Sequence, residues 1–411
     1  MIHILTGRLI NGIDDVPIEN GLVAFEGNRI LYAGEKDGYT PSGDEIRHSA
    51  GDGTILPGFI DCHAHLTGEE DAGSFCNGKL FGDQLLGAAW QLKLLLDAGF
   101  TGLRDMSEAG LYLSRAVERG VLEGPRIVPG GKVLGITSGH IDMGPERSKA
   151  EYNAADHLSY LMDGPEECLR GVREQFRQGA KFIKICATGG VSSPTDRLDD
   201  VQFSPEELRT IVQEAERHHT YVTAHCTGYE GAYQAILAGV RCIEHGVALT
   251  QREIDLMAEK DIPLVTTLWI SLHVAELPGF PDWMVKKARL CADRNRKSIE
   301  LARRAGITLV LGTDFSNSRN TPYRKIGREF EAMVDAGLTP MEAIKAGTSN
   351  ASRLMMMDDV GSLKPGMLAD ITVTDGNPLT DISCLADAEH ITFVAADGKI
   401  VKNRLDDKDH A

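Results

Sequence analysis

Cysteine is scarce in this chain, with 8 in 411 residues and no Cys-x-x-Cys pair. That density excludes a disulfide-stapled secreted fold and leaves the thiols as small buried groups under reducing conditions. Also missing is any apolar run near the ~18 residues that a membrane-spanning helix needs. The start, Met1-Ile-His-Ile-Leu-Thr-Gly7, has neither the basic stretch nor the long apolar stretch of a secretory signal. A cytoplasmic location with no membrane partner is the expectation. Positive charge is short too: 43 Lys and Arg against 60 Asp and Glu leave a formal net charge of −17. This argues against a nucleic-acid surface and favours solubility through self-repulsion. Repeats and low-complexity tracts are absent, and the one biased stretch is the charged tail Leu405-Asp-Asp-Lys-Asp-His-Ala411, expected to fray.

What is present is a series of metal-ligand side chains, each following a short apolar run. They are His63 and His65 in Ile60-Asp-Cys-His-Ala-His65, Lys184 in Phe182-Ile-Lys-Ile185, His225 in Val222-Thr-Ala-His225, His245 in Cys242-Ile-Glu-His-Gly246, and Asp314 in Leu311-Gly-Thr-Asp314. Side chains two apart on a strand share a face, so His63 and His65 can hold one cation. Ligands at the carboxyl ends of successive strands, with helical patterns between them, belong to the catalytic face of an α/β fold of the (β/α)8 (TIM) barrel type. The expected barrel strands are 56–65, 102–105, 126–130, 182–186, 221–225, 242–245, 263–268 and 308–314. Ser204-Pro-Glu-Glu207 and Thr339-Pro-Met-Glu342 carry helix-start signals, a capping hydroxyl, a proline and a glutamate three residues on. Short strands fill both ends of the chain, with Gly27-Asn28 and Asp397-Gly398 as hairpin turns. Neither end closes a core alone, so 1–57 and 358–411 are expected to form one discontinuous β-sandwich domain beside a barrel at 58–357.

At these residues the chain resembles the amidohydrolase superfamily. Pro57-Gly-Phe-Ile-Asp-Cys-His-Ala-His65 is similar to its opening strand, and Gly361-Ser-Leu-Lys-Pro-Gly-Met-Leu-Ala-Asp370 to its exit from the barrel. Lys184-Ile-Cys-Ala-Thr-Gly-Gly190 looks like the branch of prolidase and Xaa-Arg dipeptidase type, related to imidazolonepropionases. That branch implies two divalent metal ions: His63, His65 and Asp314 hold the first, and His225 and His245 the second. Zinc suits this set, as would manganese or cobalt. A free ammonium cannot bridge two cations, so the resemblance implies a Lys184 carboxylated by CO2 to a bridging carbamate. A metal lowers the pKa of bound water from ~15.7 toward ~7. Asp314 can then act as general base toward that water and as general acid toward the departing nitrogen. The branch also implies that His140, in Thr137-Ser-Gly-His140, polarises the substrate carbonyl, together with a Tyr soon after the fifth-strand His. Here the nearest such aromatic is Tyr229. Deaminase-like relatives carry a proton-shuttling Glu three residues after that His, and this chain has Gly228.

The expected function is hydrolysis of an amide in a small peptide-like substrate, a dipeptide or N-acyl amino acid, by a hydroxide bridging the metals. The alternatives are a cyclic amide, carbamate or ester substrate, or a non-catalytic barrel scaffold. The loop after strand eight offers Arg319 and Tyr323 as substrate contacts, and the aromatic segment from Trp269 to Trp283 a pocket wall. A homo-oligomer is expected. Cys62 and Cys226 neighbour ligands and are expected to face away from them. Glu244, next to His245, is expected by the same alternation to face the helices and pair there.

Overall fold

The protein is described from a computed structural model, which covers residues 1–41, 43–68 and 80–405. Apart from Leu405, the charged tail lies outside the described residues. Both chain ends enter one mixed seven-stranded sheet, in the order Lys399–Asn403, Ile391–Ala396, Ile371–Thr374, Glu45–Pro57, Ile2–Leu9, Ile18–Glu26 and Arg29–Glu35. The two hairpins turn at the predicted dipeptides, with Glu26 opposite Arg29 and Ala396 opposite Lys399. Leu5, Val23, Phe25 and Ile55 from one end pack with Ile371, Val373 and Phe393 from the other in a single buried cluster.

The rest is an α/β fold with parallel sheets. One sheet runs Leu309–Val310, Leu264–Val265, Cys242–His245, Val222–Cys226, Ile183–Cys186, Val133–Gly135 and Ser159–Leu161; the other runs Phe59–Ala64, Phe100–Asp105 and Arg126–Pro129. Backbone bonds stitch the two together. Cys62 N–H donates to Leu311 O at 3.0 Å and Asp314 N–H to His63 O at 2.7 Å, while Lys181 N–H donates to Pro129 O at 2.7 Å. Eight strands thereby follow one another in a ring, consistent with an amidohydrolase-type (β/α)8 barrel. Helices alternate with them. Pro205–Arg217 and Pro340–Ala346 start at the predicted capping boxes of Ser204 with Glu207 and Thr339 with Glu342. Among the described residues no helix is long and apolar enough to cross a membrane.

Three features differ from the sequence expectation. The stretch read as one strand, 56–65, is two: Leu56 and Pro57 pair with Thr372 and Ile371 in the terminal sheet, and the barrel strand begins at Phe59. Two further strands, Val133–Gly135 and Ser159–Leu161, flank the capped helix Lys149–Ala155. Three residues are too few to display a period of two, which hides such strands. Strands seven and eight are regular for only two residues each, and the chain turns left-handed beyond them at Thr267 and Asp314, whose φ angles are +46° and +60°.

The division at residue 58 needs glycine. A Cβ there would lie 2.1 Å from Thr101 Oγ1, 2.6 Å from its Cγ2 and 2.9 Å from its Cβ, so no rotation of Thr101 makes room. Gly58→Ala is expected to cost about 1–3 kcal/mol through overpacking. A chemical-denaturation midpoint equal to wild type would refute this.

Candidate active site

The ring brings four imidazoles, a lysine and a carboxylate to one lip. His63 and His65 leave strand one on the same side, with ring centroids 5.4 Å apart; His63 lies 4.7 Å from His245, and His245 4.6 Å from His225. Asp314 Oδ1 sits 3.0 Å from His65 Nε2 and 3.5 Å from His63 Nε2. Lys184 Nζ is 3.3 Å from that same His63 nitrogen. One ligand atom each from His63, His65 and Asp314 falls within 4.8 Å of the others, a candidate metal site.

Each imidazole has one nitrogen occupied from behind. His63 Nδ1 meets Glu244 Oε2 at 2.7 Å, His65 Nδ1 the Met106 carbonyl at 2.9 Å, His225 Nε2 the Gly189 carbonyl at 3.0 Å, and His245 Nδ1 the Thr267 hydroxyl at 2.7 Å. The other nitrogen of each ring is left for a ligand, as outer partners of metal-binding histidines arrange. Burial, reinforced by Lys184 and neighbouring imidazoles, holds His63, His225 and His245 well below the ordinary histidine range. They are therefore neutral, the form that binds metal. Burial works against charge on Asp314, but His63, His65 and Lys184 outweigh it and hold the carboxyl well below the usual range. His63, His225, His245 and Asp314 are thus in the protonation states a divalent cation requires. At His65, burial is outweighed by the Asp314 carboxylate beside it, which raises that imidazole, so metal binding there displaces a proton. Burial pushes the thiols of Cys186 and Cys242 up to about 12, so in the absence of a metal they are neutral near neutral pH.

Comparison with known proteins agrees with this geometry. The amidohydrolase family model matches residues 54–401. The chain belongs to the amidohydrolase family. The ochratoxinase of Aspergillus niger is 33% identical over 97% of this chain and 86% of its own length. Its crystal structure superposes with a TM-score of 0.89, covering 98% of this chain and 96% of that one. A prolidase complexed with N-methylphosphonate-L-proline gives 0.89 at 32% identity, over 98% of this chain and all of that one. A Xaa-Pro dipeptidase with bound methionine gives 0.86 at 29% identity, over 97% and 99%. This amidohydrolase is a hydrolase acting on carbon–nitrogen amide bonds.

His140 joins the cluster. Its ring stacks on His225 at 4.5 Å and its Nδ1 lies 3.0 Å from Ser193 Oγ and 3.5 Å from Asp196 Oδ2. The Asp196 carboxylate is buried, yet His140, Lys287 and Ser193 outweigh that burial and hold it down at about 2. Lys287, from the helix Asp282–Arg304, donates to Asp196 Oδ1 at 2.8 Å and to the carbonyls of Gly190 and Ser193. Tyr229 opens the helix Tyr229–Ala238 with its side chain about half exposed, and Arg319 is exposed. The contacts just described include neither of them. Tyr323, read as a substrate contact, is fully buried and donates to the His65 carbonyl at 3.1 Å, so it braces strand one.

Glu244 corrects the sequence reading. It is fully buried within the barrel, bonded to Arg104, Thr223 and His63, not turned toward the helices. Alternation fails because His245 is left-handed, with φ +66°. A sequence signal did exist: Arg104 and Glu244 each stand in an apolar strand, and a buried charge requires a partner. Glu329 carried no such signal. Its carboxylate accepts from Thr266 Oγ1, Leu268 N–H and Trp269 N–H at 2.7, 2.7 and 2.8 Å, and so clamps the chain on both sides of Thr267.

Gly190 lies directly under His140: a Cβ there would meet the ring at 2.2 to 2.6 Å. Gly190→Ala is expected to displace the ring, leave metal stoichiometry unchanged and lower kcat by about 10²-fold, the effect of losing one donor to the reacting oxygen. An unchanged kcat would remove His140 from the reaction.

Proposed function

We propose that this amidohydrolase is a binuclear metal hydrolase that cleaves the amide of a small peptide-like substrate, a dipeptide or N-acyl amino acid. The observation that carries this reading is the convergence of His63, His65, His225, His245, Lys184 and Asp314 on one lip of the ring. Likeness to a prolidase, a Xaa-Pro dipeptidase and an ochratoxinase supports the substrate class. His63, His65 and Asp314 would hold one metal and His225 and His245 the other, and zinc suits this donor set best. Addition of CO2 to the Lys184 amine, with release of a proton, would form a carbamate and supply the anionic donor that a two-metal site requires. The described residues of 1–57 and 358–405, which share the terminal sheet, are read as a β-sandwich domain, and those of 58–357 as the barrel.

When bound, the metals supply a water acidic enough to ionise near neutral pH and polarise the amide carbonyl. With Nδ1 turned to Ser193 and Asp196, His140 in the imidazolium form, the only form that donates from both nitrogens, donates from Nε2 to the carbonyl oxygen as negative charge collects there. Asp314 takes a proton as the oxygen–carbon bond forms and delivers it to the amide nitrogen as the carbon–nitrogen bond breaks. The products are a carboxylate and an amine.

Purified protein is expected to hold about two equivalents of zinc per chain, as two-metal hydrolases do. A metal-replete screen over dipeptides, N-acyl amino acids and lactams identifies the substrate class. Turnover of lactams alone would displace the peptide-like reading. Asp314→Asn is expected to keep the fold and lower kcat by at least about 10²-fold, because an amide cannot relay the proton. A metal-replete variant with near-normal turnover would exclude the proton-relay role. Lys184→Ala is expected to lose metal and activity, and a short carboxylic acid with excess metal to restore part of both. A crystal structure of the active enzyme with an unmodified Lys184 beside a single metal would end the binuclear reading.

A further inference from the structure

We infer that Glu244 is a positioning residue for the metal centre: locked by Arg104 and Thr223, its carboxylate orients His63 so that Nε2 is the nitrogen offered to the metal. This rests on the reading of His63 as a ligand and adds to it the residue that sets its orientation and donor strength. Glu244 and His63 come from opposite parts of the sequence and meet at 2.7 Å in a region where both are fully buried. A carboxylate can only accept, so the bonded Nδ1 carries the ring proton and Nε2 carries the lone pair. That nitrogen is the one 3.3 Å from Lys184 Nζ and 3.5 Å from Asp314 Oδ1.

The carboxylate does not hold this place alone. Its Oε1 accepts from the Arg104 guanidinium and from the Thr223 hydroxyl. Arg104 is itself fully buried, and its Nε donates to the carbonyl of Cys62, the residue just before His63. One guanidinium therefore fixes both the backbone that carries His63 and the carboxylate that holds its ring. Neither charge is stable at that depth without the other. Strands one, two, five and six all contribute, so the orientation of His63 is built into the ring.

The four histidines are not held alike. Carbonyls face His65 and His225, and a hydroxyl faces His245; His63 alone of the four is backed by an anion. A carboxylate raises imidazole basicity more than a neutral acceptor, and removing such outer partners weakens metal binding by about 10- to 100-fold. Among the proposed ligands, the site containing His63 is thus the one whose affinity depends on a second charged residue.

The test is zinc binding by the full-length apoprotein, titrated against a chromophoric chelator, in wild type, Glu244→Gln, Thr223→Val and His63→Ala. Glu244→Gln preserves shape and is expected to weaken one of the two zinc equivalents about 10- to 100-fold, and the other less, with a cooperative melt retained. Thr223→Val removes one donor to Glu244 but keeps the ion pair, and is expected to produce a smaller loss in the same equivalent. A folded Glu244→Gln with wild-type affinity for both equivalents overturns the inference. So does an equal weakening of both with a lowered melting midpoint, which marks a structural ion pair only. Should Glu244→Gln not fold, Thr223→Val decides, and unchanged zinc affinity there overturns the proposal. His63→Ala separates the two readings: if it too keeps both zinc ions at wild-type affinity, the ligand assignment of His63 has failed and not the role of Glu244.

Discussion

The carbonyl of His63 accepts from two successive backbone N–H groups, those of Thr313 at 3.2 Å and Asp314 at 2.7 Å. This small seam closes the ring between strands that lie some 250 residues apart in the chain. Asp61 reinforces it: one carboxylate oxygen takes the N–H groups of His63 and Thr313, and the other takes the Thr313 hydroxyl at 2.6 Å. The side chains of His63 and Asp314 therefore emerge from adjoining backbone, and their separation is set by main-chain bonds. Positioning of this kind loses little to side-chain flexibility, which a site that must hold charge in a fixed geometry requires.

Three strand ends at this lip depart from extended geometry in the same way. His245, Thr267 and Asp314 have φ angles of +66°, +46° and +60°, in a region that non-glycine residues rarely occupy. Each such residue costs of order 1–3 kcal/mol unless its surroundings fix it. Here they do. The Thr267 hydroxyl bonds His245, Glu329 grips the residues on either side of Thr267, and Asp314 is held through its N–H to His63. The left-handed turns allow consecutive residues to serve one site, which strict alternation along a strand forbids.

Much of this was legible in the sequence. The His-x-His pair, the histidines closing strands five and six and the capping boxes at Ser204 and Thr339 all rest on local rules of period and propensity. So do the hairpins at Gly27-Asn28 and Asp397-Gly398. What escaped depends on depth or on distant neighbours. Glu244 was misassigned because alternation was extended through a residue that leaves the strand. Tyr323 stands in a loop rich in polar residues, and only its burial reveals that its hydroxyl braces His65. The hold of Asp196 and Lys287 on His140 joins three segments, and no one of them carries a pattern that points to the others. The split at residue 58 is equally invisible locally, because the apolar run continues through it while its hydrogen-bond partners change from one sheet to another.

The terminal sheet has a consequence for how the chain is made. Thr54 pairs with Thr374, so the edge of the strand Glu45–Pro57 receives its neighbour only after about 320 further residues have been added. At about 5–20 residues per second on the ribosome, that is a wait of tens of seconds. Throughout it the early strands have half a core, since Ile371, Val373 and Phe393 fill the remainder. A strand edge left open for so long is a template for unwanted pairing with other nascent chains. That hazard belongs to the growing chain alone, because the finished structure fills the edge.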